Sequence, residues 1–216
     1  MAMDMLAAYY DRSLDTAKYF DKMKISESES YREHLNQYDV LKINMQDFLS
    51  ATSNMDEMLE MLQKYLIFDW LDKYETSVRF RDEKNLIQSM KDVYAKTGHS
   101  FVILIDEWDC LFREHAHDKE AQKKYLDFLR TWMKDKDYVA LAYMTGIFPV
   151  KKYGTHSALN MFTEYAMTDL GKLAEFFGFT ETEVKQLCDK YQMDFEEAKA
   201  WYDGGSGTQR DFNIRI

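Results

Sequence analysis

Phe101-Val102-Ile103-Leu104-Ile105 is a run of five apolar side chains that ends on Asp106 and Glu107, with Trp108 and a third carboxylate, Asp109, directly behind. A short, uninterrupted run rich in β-branched residues suits a strand buried on both faces, as in a parallel sheet covered by helices. Carboxylates that close such a strand emerge at the sheet's C-terminal edge, where open α/β sheets bind their ligands.

In P-loop ATPases a strand-end pair of this kind is the Walker B arrangement. Asp106 would help hold Mg²⁺, and Glu107 would orient or deprotonate the attacking water. A core strand closed by an acidic turn without chemistry has the same spacing, so spacing alone leaves both readings open.

The rest of the chain supports a sheet of this type. Tyr38 to Met45 alternates as a strand. Asn54, with Glu57 three residues on, starts the longest helix, whose Met55, Met58, Leu59, Leu62, Leu66 and Trp70 follow helical spacing. That stripe would serve a partner or, as general experience favours, pack on the sheet. Asp82 is the expected cap of a helix with Leu86, Ile87, Met90, Val93 and Tyr94 inside, ended by Gly98. After the central strand come a charged loop, Arg113 to Lys119, and a helix burying Tyr125, Leu129, Trp132 and Met133. A second apolar strand, Tyr138 to Met144, closes on Thr145-Gly146. Strand, helix, strand, helix, strand is the rhythm of a parallel α/β fold.

Beyond Pro149 the pattern changes. Lys151 to Gly154 reads as a loop and Phe162 to Met167 as a short extended piece; from Leu170 onward the chain reads as helical, with Thr180 and Glu183 as a T-x-x-E start and a last helix over Phe195 to Tyr202. The expected division is an α/β core over 1–168 and a helical subdomain with a tail over 169–216.

Composition bounds the function. With 216 residues and 46% hydrophobic content, the chain has enough for one ordinary domain with a small appendage. The net charge of −10 argues against a broad nucleic-acid-binding face and leaves a local basic groove open. Two cysteines, Cys110 and Cys188, suit a reducing compartment, and no apolar run reaches the length of a membrane span. A cytoplasmic protein is the expectation.

Several segments together resemble a known family. They are Met5-Leu6-Ala7-Ala8-Tyr9-Tyr10-Asp11, Ile105-Asp106-Glu107-Trp108-Asp109, Thr145-Gly146-Ile147, Ser157 to Tyr165, and Trp201-Tyr202-Asp203-Gly204. The combination is similar to the bacterial AAA-ATPase-like family of predicted P-loop ATPases, longer members of which often carry a domain similar to PD-(D/E)XK nucleases. The resemblance implies an ATPase with Mg²⁺ and ATP as cofactor and substrate, Asp106 on the metal, Glu107 on the water, and Thr145 where related ATPases sense the terminal phosphate. A plain Thr-Gly turn is the other reading of Thr145.

The departures are as informative. Family members carry, ahead of the helix that Met1 to Asp11 resembles, a strand and a Walker A loop ending in Arg-Phe-Gly-Lys and Ser or Thr. No such loop occurs in the 216 residues. The chain therefore resembles the middle of a family member: an incomplete P-loop NTPase-like parallel sheet flanked by helices, with a C-terminal helical subdomain. A P-loop supplies the N–H groups, Lys and hydroxyl that hold a triphosphate. Without it, this chain alone is expected to bind neither ATP nor Mg²⁺ and to show little or no ATPase activity. The absent strand is expected beside the Asp106 strand, leaving a sheet edge open to self-association.

Other candidates are weaker. Lys151 and Lys152 would reach a phosphate or stand in solvent. Glu114-His115-Ala116-His117-Asp118 has metal-ligand ingredients on what reads as a flexible loop. Arg79 and Arg81 read as surface charges, with a trans-acting arginine as the alternative. Cys110, beside carboxylates, would be a poor nucleophile. Two functions remain: a truncated ATPase domain, and a non-catalytic interaction module derived from one.

Overall fold

The computed structural model describes residues 2–149, 159–165 and 179–202. Three strands, β1 (Asp39–Asn44), β2 (Phe101–Asp106) and β3 (Val139–Met144), form a parallel sheet in the order β1-β2-β3. The apolar run of β2 is thus the central strand, with residues 101–105 fully buried. Its alternate side chains enter two layers. Val102 and Leu104 meet Met3 of α1 (Ala2–Tyr10), while Phe101, Ile103 and Ile105 join the main core.

The main core is closed by α5 (Met55–Tyr74), α6 (Leu86–Thr97) and α8 (Lys119–Met133). In α5 the stripe anticipated from its spacing, Met55 to Trp70, is buried. Asn54 caps this helix by accepting from Glu57 N at 3.0 Å, and the Glu57 carboxylate accepts from Ser53 N at 3.0 Å. Gly98 ends α6 at φ 72°, where a Cβ would be strained. Short elements fill the remainder: α2 (Ala17–Phe20), α3 (Tyr31–His34), α4 (Met45–Ser50) and α7 (Cys110–Glu114).

Three expectations are corrected. Asn85, not Asp82, caps α6, accepting from Gln88 N at 3.0 Å, while Asp82 accepts from Lys84 N in the preceding turn. Leu86 must be fully buried, and that sets the start of the helix three residues later than the acid suggested. The charged stretch from Arg113 begins inside α7, because Leu111 and Phe112 bury a full helical turn. Of the expected extended piece, residues 162–165 are described and pair with no strand, while 166–178, with its end at Met167 and the expected helical start at Leu170, lies outside the described residues. Both sides of β2 are paired, by β1 and β3, so no further strand fits beside the Asp106 strand.

The chain divides into two compact units, Met1–Phe162 and Thr163–Ile216. In the second, Thr180 and Glu183 make a reciprocal capping box on the helix Glu181–Tyr191, followed by the helix Phe195–Tyr202. Among the described residues no helix is long and apolar enough to cross a membrane.

Candidate functional site

Parallel pairing brings the ends of β1, β2 and β3 to one edge, which carries Asn44, Asp106 and Thr145. Asn44 is the register partner of Asp106, but its side chain turns away to cap α4, accepting from Gln46 N at 3.0 Å. Thr145, one residue past β3, donates its hydroxyl to Asp106 Oδ1. The same oxygen accepts the Glu107 N–H at 3.1 Å. Asp106 Oδ2 accepts no hydrogen bond from a described residue, and the carboxylate is only half-buried.

The chain turns sharply after Asp106. Glu107 has φ 54°, a left-handed conformation that a non-glycine residue adopts only under local constraint. The constraint is visible on both sides: Trp108 N donates to Thr145 O at 3.1 Å, and Tyr125 from α8 donates its hydroxyl to Trp108 O at 2.9 Å. After this turn the Glu107 carboxylate meets Arg113, with Arg113 Nη2 at 2.5 Å from Oε2. That contact raises the Arg113 pKa further.

Asp109 has a different task. It is fully buried; its Oδ2 accepts the backbone N–H groups of Ile147 (3.1 Å) and Phe148 (2.8 Å), and its Oδ1 accepts from Arg113 Nη1 at 3.3 Å. With its oxygens so engaged it clamps the segment after β3 to the segment after β2. Gly146 lies in this contact: a Cβ there would come within 2.6 Å of Asp109 Oδ1 and of the Trp108 ring. Arg113 thus bridges Glu107 and Asp109, and sequence reasoning missed it by reading it as loop. Its spacing of four from Asp109, inside one helical turn, was the available signal.

Burial pushes the Cys110 thiol up to about 12, with smaller contributions from Glu114 and Asp109, so Cys110 is held as an inert thiol mainly by desolvation rather than by its acidic neighbours. His115 and His117 are exposed, and among the described residues no group of three or more His, Cys, Asp or Glu could hold a metal. Arg79 is exposed, and Arg81 pairs with Asp92 at 3.2 Å. Asn160 accepts from Lys134 Nζ at 2.9 Å. Lys151, Lys152 and the Ser157 end of its segment lie outside the described residues.

The edge therefore combines an aspartate with one oxygen that has no described donor, a hydroxyl fixed on its other oxygen, and a glutamate paired with an arginine. The model of the AAA-ATPase-like family, described as "Predicted AAA-ATPase", matches residues 1–155. No curated protein and no solved structure matches the chain.

Proposed function

The chain belongs to that predicted AAA-ATPase family, and from this premise we propose that its carboxylate edge is the Mg²⁺ and water side of an ATP-hydrolysing site, the Walker B part of a P-loop ATPase. The observation that carries the reading is Asp106, which ends the central strand with one oxygen held by Thr145 and Glu107 N–H and the other without a described donor. A lone carboxylate oxygen suits Mg²⁺, which takes one or two carboxylates and completes its shell with water and substrate phosphates. When bound, the ion neutralises charge on the phosphates during transfer. Thr145 keeps Asp106 in one rotamer and stands where a terminal phosphate is sensed.

Glu107 is the candidate base. Its backbone is fixed by the turn, and only its side chain must exchange Arg113 for water to orient or deprotonate the nucleophile. The phosphate-binding loop, for which no sequence occurs among the 216 residues, would come from chain beyond them. Its strand would stand beside β3, whose outer edge is unpaired among the described residues. The same edge would otherwise admit a second copy. On this reading the isolated chain binds neither Mg²⁺ nor ATP.

The second reading is a non-catalytic interaction module. It is favoured by the Glu107–Arg113 ion pair at 2.5 Å, which withdraws the candidate base. Mg·ATP turnover separates the two, measured on this chain and on one extended through the in-frame codons upstream of Met1. The expected result is turnover in the extended chain alone, lowered about 10²- to 10⁴-fold by Glu107→Gln with Mg·ATP binding retained. An in-frame stop directly upstream, with no binding of Mg·ATP by the 216 residues, would overturn the ATPase reading and leave the module.

A further inference from the structure

The helix α5 has two apolar faces. One is the buried stripe in the core. The other points outward and carries Met61, Tyr65 and Phe68, exposed by 43%, 59% and 73%. Three large apolar side chains at helical spacing on an outer face form a contiguous patch, unlike the scattered exposed apolar residues of an ordinary surface. Tyr65 is steadied by an edge contact with Phe48, with ring centroids 5.7 Å apart. The patch forms one wall of a surface groove of about 600 Å³, also lined by Glu57, Glu60, Lys64 and Asp69.

The charges around this face identify what would cover it. Among the described residues the only cation lining the groove, Lys64, is paired with Glu60 at 2.7 Å. Asp69 and Asp72 lie one and four residues beyond Phe68 and have no cationic partner among the described residues. Burial and the neighbouring Asp72 charge together raise the Asp69 pKa. Both acids stand in the last two turns of α5, where the helix dipole already places negative potential and where a cation, not a carboxylate, is the favourable occupant. A second, larger groove shares Phe68 and is lined by Asp72, Glu75, Glu83 and Asp92 together with Arg79, Arg81 and Lys96. The described lining on the Met61 side instead sets Glu57, Glu60 and Asp69 against Lys64 alone, and Asp72 stands beside Asp69 where the two grooves adjoin. A second copy docking here would bring carboxylate against carboxylate, and an anionic membrane would be repelled.

We propose that the outer face of α5 docks a cationic amphipathic helix of a protein partner, its apolar stripe on Met61, Tyr65 and Phe68 and its Lys or Arg side chains on Asp69 and Asp72. This is the helix-in-groove mode of recognition, with aromatic anchors and an acidic rim. It is independent of the chemistry at the carboxylate edge, since no residue of that edge lines the groove.

The test is fluorescence anisotropy of the full chain with a synthetic Leu/Lys peptide ordered as an amphipathic helix about as long as α5. A scrambled peptide of the same composition and a Leu/Glu peptide in the amphipathic order serve as controls. Binding of the ordered Leu/Lys peptide alone is expected. It should weaken about tenfold in Phe68→Ser and, in the Asp69→Asn/Asp72→Asn double variant, lose most of its salt dependence. Phe68 is largely solvent-exposed, so Phe68→Ser leaves the core intact, and the double variant tests the same site without touching an apolar residue. Equal binding of the scrambled peptide, equal binding of the Leu/Glu peptide, or binding unchanged in both variants would each overturn the proposal. So would self-association abolished by Phe68→Ser, or failure of the ordered peptide to bind.

Discussion

Asp39 opens β1 and Asp106 closes β2, so these two aspartates stand at opposite edges of one parallel sheet. Asp39 is sealed: it is fully buried, with Lys73 Nζ at 2.5 Å on one oxygen, the Tyr74 hydroxyl at 2.5 Å on the other, and His99 within 4.0 Å. Asp106 is half-exposed, with one oxygen held and one without a described donor. The two carboxylates differ in unmet acceptor capacity, not in charge. A buried acid whose partners come from its own fold holds elements together; one that the fold leaves half-satisfied is the one available to a ligand.

The comparison breaks most visibly at the sealed edge. Asp39→Ala removes the Lys73 contact and takes the carboxylate acceptor from the Tyr74 hydroxyl, leaving it His99 Nδ1 at 3.0 Å, and is expected to cost about 2–4 kcal/mol in urea unfolding. A loss below about 1 kcal/mol would mean that the N-terminal edge is not sealed by this acid. Asp109→Ala leaves two backbone N–H groups without an acceptor, with an expected cost of about 2–3 kcal/mol. Faster amide exchange at Ile147 and Phe148 should accompany that loss. Gly146→Ala, which drives a Cβ into the same contact, should follow at about 1–3 kcal/mol.

Asp106→Asn sharpens the contrast from the other side. It retains an acceptor for Thr145, and its expected cost in the same unfolding assay is about 0.5 kcal/mol or less. A cost equal to that of Asp39→Ala would erase the distinction between the two edges.

The smallest effect concerns pH. Burial, helped by the Arg12 charge, holds the His99 pKa below its ordinary value of 6.5, against a lesser opposing pull from Asp39. The unfolded chain therefore binds the proton first as pH falls. Stability is full above pH 6.5 and declines below it, down through the lower folded-state value. Thermal unfolding between neutral and mildly acidic pH should show this shallow slope, and His99→Gln should flatten it.

Much of this fold was legible because the signals were local. The run over 101–105 needs no partner to be read as a strand buried on both faces, and the Asn54, Gly98 and Thr180 caps lie beside the helices they bound. The α6 start was misread because Asp82 and Asn85 both suit a cap, and the choice rests on where Leu86 meets the core. At the site, Asp106 and Glu107 were visible as a strand end, but the tasks of their neighbours were not. Asp109 gains its partners from Ile147 and Phe148, 38 and 39 residues away, and only the pairing of β2 with β3 brings them together. Arg113 reaches Glu107 only because the chain turns through a left-handed residue that no sequence pattern marked.

Parallel strands need crossovers, and the two in this sheet differ in length. Residues 45–100 separate β1 from β2, whereas residues 107–138 separate β2 from β3. Closing the shorter loop costs about 0.5 kcal/mol less chain entropy, and the amphipathic α8 it contains can form locally before the strands meet. Folding is thereby biased to pair β2 with β3 first and to add β1 afterwards. Asp106 meets Thr145 in that first pairing, so the carboxylate edge takes shape while the opposite, sealed edge still waits for Asp39.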